Sequence, residues 1–292
     1  MKLLQPIWIF LILLNVTPLL VSGQDDLLSL LGDEVDEIEY VKAGFKTTRV
    51  INVHSFENVA PHVLDLKISH RFGFISGGPY ELWGLDNASM RFGFDYGITD
   101  NLMVGWGRST VGKEYDAFVK YKLLRQSTGK RKMPIALAFL STTAVNTLHF
   151  SDPERTNYFS SRQSFTHQII LGRKFSENFS FQIVPSVIHR NLVATKLDKN
   201  DVFTLGMAGR QKINKRLAIN WEYHYILDDR LRNQFENSLS LGLDIETGGH
   251  VFQLHFTNST SMTERGYLTE TVGDWFKGNI HFGFNVSRVF NM

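Results

Sequence analysis

Residues 278–290, GNIHFGFNVSRVF, decide the fold. Ile280, Phe282, Phe284, Val286 and Phe290 fall on one parity, and Asn279, His281, Gly283, Asn285 and Ser287 on the other. Side chains alternate faces along a strand, so this is a ribbon with one greasy face and one polar face. A single ribbon of this kind fits a soluble sandwich as well as a membrane barrel. Repetition separates the two. Upstream, residues 63–72 set Leu64, Leu66, Ile68 and Phe72 against Asp65, Lys67, Ser69 and Arg71. Residues 89–96 and 115–123 repeat the scheme, as do 217–225, with Trp221, Tyr223 and Tyr225 opposite Glu222 and His224. Weaker versions occupy 102–108, 135–143, 165–175, 179–189, 202–211, 238–245 and 251–257. The count is about twelve strands of the ~9–11 residues that a tilted crossing needs.

The connections carry a second signal. Short ones (97–101, 176–178, 213–216, 246–249) alternate with long ones (75–88, 142–164, 190–201, 226–236, 258–277). Tight turns on one side and long loops on the other mark a transmembrane barrel, whereas Greek-key crossings break such a rhythm. The connection 125–133 is too long for its class and 109–114 too short. Aromatic residues such as Tyr96, Trp106, Tyr115, Phe175, Tyr225 and Phe290 gather near strand ends, as at a lipid–water boundary. The expected fold is therefore all-β: an antiparallel up-and-down barrel with short periplasmic turns, long external loops and both termini periplasmic.

Residues 1–23 read as a secretory signal: Lys2, then an apolar core, then Val21-Ser22-Gly23. The remaining 269 residues (292 minus 23) contain no Cys, which excludes disulfides and thiolate metal sites. Residues 24–39 carry Asp25, Asp26, Asp33, Glu34, Asp36, Glu37 and Glu39 and no basic residue. Such an acidic, leucine-dotted piece reads as a periplasmic tail that could dock a periplasmic protein. Residues 42–61 form either a short strand or a plug folded into the barrel mouth. The organisation expected is signal 1–23, tail and plug segment 24–61, and barrel 62–292.

Several strings resemble a known family: FKTTRVINVHSFE (45–57), SHRFGF (69–74), MRFGFDYGITD (90–100), KYKLLRQSTGK (120–130), ETGGHVFQLHFTNS (246–259) and NIHFGFNVSRVF (279–290). They are similar to a family of bacterial membrane-bound β-barrel proteins classed as a domain of unknown function. The resemblance spans about residues 40–290. It implies a barrel in the outer membrane of a Gram-negative bacterium and brings no catalytic or binding residues with it.

The polar parity places Asp65, Lys67, Arg71, Arg91, Asp95, Asp116, Lys120, Lys122, Glu222, His224, Asp244, His255 and His281 toward the interior. Mixed charges there either tune a pore or lace the interior shut. His255, His281 and His224 could converge on a metal, but their spacing does not demand it, and histidines that only hydrogen-bond are expected. His70 and His167 fall on the apolar parity. No Gly-x-Ser-x-Gly elbow or phosphate loop is present, so neither an enzyme, a cofactor nor a nucleic-acid partner is expected. The expected partners are outer-membrane lipid and the barrel-assembly machinery, with Phe290 as the residue that machinery reads. Two functions remain open: a channel or transporter for a small solute, and a closed barrel that displays loops and docks a partner. By this facing, Arg at Phe282 is expected to cost ~2–4 kcal/mol near the midplane, whereas Arg at Asn285 is expected to be mild.

Overall fold

A computed structural model describes residues 37–292 except 151, 155 and 249. The signal segment and most of the acidic tail lie outside the described residues. Twelve strands form a closed antiparallel barrel in which each pairs with its neighbours in sequence. They are β1 (Val63–Phe74), β2 (Ala88–Gly97), β3 (Leu102–Ser109), β4 (Tyr115–Leu124), β5 (Ala136–Val145) and β6 (Gln163–Lys174). The second half comprises β7 (Phe179–Arg190), β8 (Asp201–Lys212), β9 (Leu217–Ile226), β10 (Ser238–Thr247), β11 (His250–Thr257) and β12 (His281–Asn291). The segment 278–290 closes the ring: β12 pairs with β1 from Asn291↔Val63 to His281↔Phe74, with one bulge near Gly283. Closure leaves the barrel sheet without an open edge. The start of β1 and the end of β12 share one end of the barrel, the turn end; the other is the loop end.

Outward residues are apolar and exposed, among them Phe92, Phe94, Trp106, Val119, Phe139, Ile169, Phe203, Leu241 and Phe252. Among the described residues no helix is long and apolar enough to cross a membrane; the crossing elements are strands. His70 stacks on Phe284 (5.1 Å) and His167 on Phe139 (6.2 Å), so both extend the outer aromatic surface near the loop end.

The over-long connection between β4 and β5 has a structural reason. Its residues Ser127–Gly129 form a two-stranded ribbon with Ile38–Tyr40, with Ile38 opposite Gly129. The Arg125 guanidinium lies 3.8 Å from the Tyr40 ring centre. The turn is long because it holds the chain on its way into the barrel.

The inner face differs from one uniformly polar lining. On β5–β7 it carries Ala136, Ala138, Leu140, Ile170, Val184 and Ile188 beside neutral Thr142, Thr166, Gln168, Gln182 and Ser186, all buried. The inner faces of these strands are a mixture of apolar and neutral polar residues, so their hydropathy contrast with the outer faces is weak. Buried charges face inward on β1, β2, β4 and β8–β10, with buried histidines on β9, β11 and β12.

Candidate functional site

The interior is occupied. Residues 44–58 run from the turn end into the barrel and fold back as a hairpin, with Arg49 bridged to His54 and the Val50 amide donating to the Val53 carbonyl (2.7 Å). Val53, His54 and Ser55 are fully buried, and Phe45, Val50, Ile51 and Phe56 nearly so.

Glu222, on β9, holds the hairpin tip. Its Oε2 accepts from the backbone amides of Ile51 (3.2 Å), Asn52 (3.0 Å) and Val53 (3.1 Å), and its Oε1 from Asn52 Nδ2 (2.7 Å). Successive amides curled round a carboxylate make an anion nest, and hydrogen bonds to an ionised acceptor are stronger than neutral ones. Neighbouring strands complete the grip. Gln253 Nε2 donates to the Val50 carbonyl (2.6 Å), Asn285 Nδ2 to that of Ile51 (3.1 Å), and Arg71 Nη2 to Asn52 Oδ1 (2.8 Å).

Lower in the hairpin Thr48 donates to Asp95 (2.6 Å), and Lys120 donates to the carbonyls of Ser55 (3.0 Å) and Glu57 (2.5 Å). Gln182, on β7, uses its amide on both sides, donating to the His54 carbonyl (2.8 Å) and accepting from the Phe56 amide (3.2 Å). Lys46 pairs with Glu246 at the turn end (2.8 Å). Phe45, Val53 and Phe56 join one apolar cluster with Phe118, Leu140, Ile170 and Val184. Gly172 makes room for it: a Cβ there would lie 2.2 Å from the Phe56 ring.

Several wall charges have partners on the wall itself. Lys67 bonds Asp65 and lies 3.0 Å from Asp95; Arg91 forks onto Asp116, its Nε at 2.9 Å; Asp244 accepts from Gln253 (2.6 Å). Lys122 stands 3.6 Å from Glu57 of the hairpin. His281 Nδ1 lies 2.7 Å from the Phe72 carbonyl, and its Nε2 lies 2.8 Å from Thr260 Oγ1. A carbonyl only accepts, so in the neutral ring Nδ1 carries the proton. His224 packs on Tyr267 (5.2 Å between centroids), and His255 lies under Gly283, whose missing side chain leaves it space. Among the described residues no group of three or more His, Cys, Asp or Glu could hold a metal ion. Phe290 lies half-exposed beneath the Arg288 guanidinium (5.0 Å). Arg49, Asn52, Gln182 and Gln253 are interior residues that the strand pattern did not single out, whereas Asn285 faces inward as its parity predicts.

A second seal enters from the loop end. Within the connection 258–280 a short helix, Glu264–Thr269, turns inward, and Glu264, Tyr267 and Leu268 are buried. Trp275 Nε1 bonds the Leu239 carbonyl (3.0 Å), Asn258 Nδ2 bonds that of Gly273 (2.9 Å), and Thr263 donates to Glu114 (2.6 Å). Burial raises the Glu114 carboxyl above its ordinary range, with the Thr263 hydrogen bond opposing the shift. Between the hairpin and the turn end lies an open vestibule of about 520 Å³, lined in part by Lys46, Glu57, Asp65 and Glu246.

The family described as "Membrane bound beta barrel domain (DUF5777)" matches residues 45–290. The chain belongs to this family. The matched region begins at Phe45, so this DUF5777 domain includes the inserted hairpin along with the strands. No curated protein sequence matches the chain. Among solved structures it is similar to the NanC porin, with a TM-score of 0.50 at 11% identity over 78% of this chain and 99% of that one. The KdgM porin (TM-score 0.47, 8% identity, 78% and 99% covered) is also similar. So is an outer-membrane channel from Pseudomonas putida F1 (TM-score 0.46, 12% identity, 80% and 98% covered). At such identities the likeness is one of fold. The DUF5777 chain is thus a membrane-bound barrel of porin-like architecture, which supports placement in the outer membrane.

Proposed function

We propose that the protein is a gated outer-membrane channel for a small solute, shut by the hairpin 44–58. The observation that carries this reading is the Glu222 nest. The hairpin tip is held by hydrogen bonds that water can replace one for one, on a wall whose charges would line an aqueous path once it left. The short turns and both termini face the periplasm, the tail 24–39 meets a periplasmic protein there, and Phe290 serves barrel assembly. This matches export through the signal 1–23. No chemistry on a substrate is assigned.

Planar bilayers test the reading. The full chain should be silent or open rarely, and a variant lacking residues 44–58 should conduct steadily. A folded deletion variant that stays silent would overturn the channel. The apolar cluster around Phe45 and Phe56 would then favour a second reading, a closed barrel that presents its loops and tail to partners.

A further inference from the structure

The two seals enter from opposite ends and touch in the middle. The hairpin's Arg49 Nη1 meets Glu264 Oε1 of the inward helix at 2.9 Å, with the side chains 8% and 2% exposed. Across the hairpin, His54 Nε2 lies 3.5 Å from the same oxygen, its ring edge-on to Phe118. Around this contact several polar atoms are buried without a hydrogen-bond partner among the described residues: Arg49 Nε and Nη2, both His54 ring nitrogens and the Tyr267 hydroxyl. A saturated buried network fixes one arrangement, whereas each unsatisfied buried atom costs free energy in the arrangement that leaves it bare.

We propose that the Arg49–Glu264 pair is a latch coupling the outer helix to the inner hairpin, so that the two seals release together. Taking Glu264 away removes the only carboxylate, among the described residues, in ion-pair contact with the buried Arg49 charge. Arg49 keeps its hydrogen bond to the Asn52 carbonyl (2.8 Å), but the loss of its counter-ion favours withdrawal of the hairpin toward the turn end. Taking the hairpin away leaves Glu264 in the same position. Coupling of this kind is reciprocal by thermodynamic necessity. A contact made on the loop side would thus reach the turn end without any change in the barrel strands. What the latch controls rests on the channel reading, whereas its existence does not.

Hydrogen exchange on the full chain in a lipid environment tests it without any conductance measurement. Glu264→Gln should speed exchange in residues 47–56, and Arg49→Met should speed it in residues 263–270. Each acceleration should be about tenfold or more, with strands β6 and β7 unchanged. The latch is overturned if either substitution leaves the opposite segment at the wild-type rate, or if the barrel strands accelerate equally. Intact reciprocal exchange together with a folded variant lacking residues 44–58 that stays silent would count against the channel reading alone.

Discussion

The inner face of β5–β7 and that of β9–β12 with β1 enclose the same hairpin by different physics. The first offers small, apolar and neutral side chains and receives Phe45, Val53 and Phe56. The second offers Glu222, Gln253, Asn285 and Arg71 and receives backbone amides and carbonyls. A hairpin tip has unpaired peptide groups that cost free energy if buried bare, so it must face a polar wall. Its aromatic side chains lose nothing against the neutral one. The difference teaches that the insert is amphipathic across its width and that its orientation in the barrel is fixed by that match.

The largest expected effect is on the polar side. Glu222→Leu strands the amides of Ile51, Asn52 and Val53 and should destabilise the inserted hairpin by roughly 3–5 kcal/mol, read as lost exchange protection in those residues. If protection persists, the nest is not what holds the tip. Outside, the two walls should not differ: Leu254→Arg and Ile169→Arg should each cost ~2–4 kcal/mol in refolding titrations, because both are exposed toward lipid near mid-strand. An unequal pair would mean that one of these faces is not lipid-covered. On the neutral side, Gly172→Ala drives a methyl into Phe56 and should cost about 1–3 kcal/mol in the hairpin alone. Equal loosening of the strands would show that the hairpin and barrel are one packing unit.

The smallest effect lies in the loops. The Asp198 carboxylate accepts from Arg230 and Thr195, linking two loop-end connections, and these hydrogen bonds hold its pKa down to about 2. A depressed carboxylate stabilises above its unfolded value near ~4 and loses that contribution as pH falls toward the folded value. The Thr195 amide should therefore exchange relatively faster below pH ~4, and Asp198→Asn should abolish the change.

Strand number and closure were legible because half-polar ribbons advertise two faces. The staves that do so, β1, β2, β4 and β9, are those whose inner residues meet charge or water-like peptide groups. β5–β7 advertise less, since Ala138, Leu140, Ile170 and Val184 face protein inside while their neighbours face lipid outside. A period of two survives there, but hydropathy contrast does not. The tight packing also alters one expectation: Asn285 bonds Ile51 and Gln253, so an arginine there must displace the hairpin and is not mild. The hairpin's own signal was its β-rich core at 47–53. Its partners were invisible because no local spacing links them: the separation is 19 positions for Asn52 and Arg71 but 170 for Asn52 and Glu222.

Since the chain has no cysteine, one introduced thiol reports on the filled lumen directly. Ser55 is fully buried, whereas Tyr80, on a loop, is 94% exposed. A bulky water-soluble maleimide should label Ser55→Cys at least roughly 100-fold more slowly than Tyr80→Cys in the folded, membrane-embedded chain. Comparable rates at the two sites would mean that the barrel is open to water and that the hairpin does not fill it.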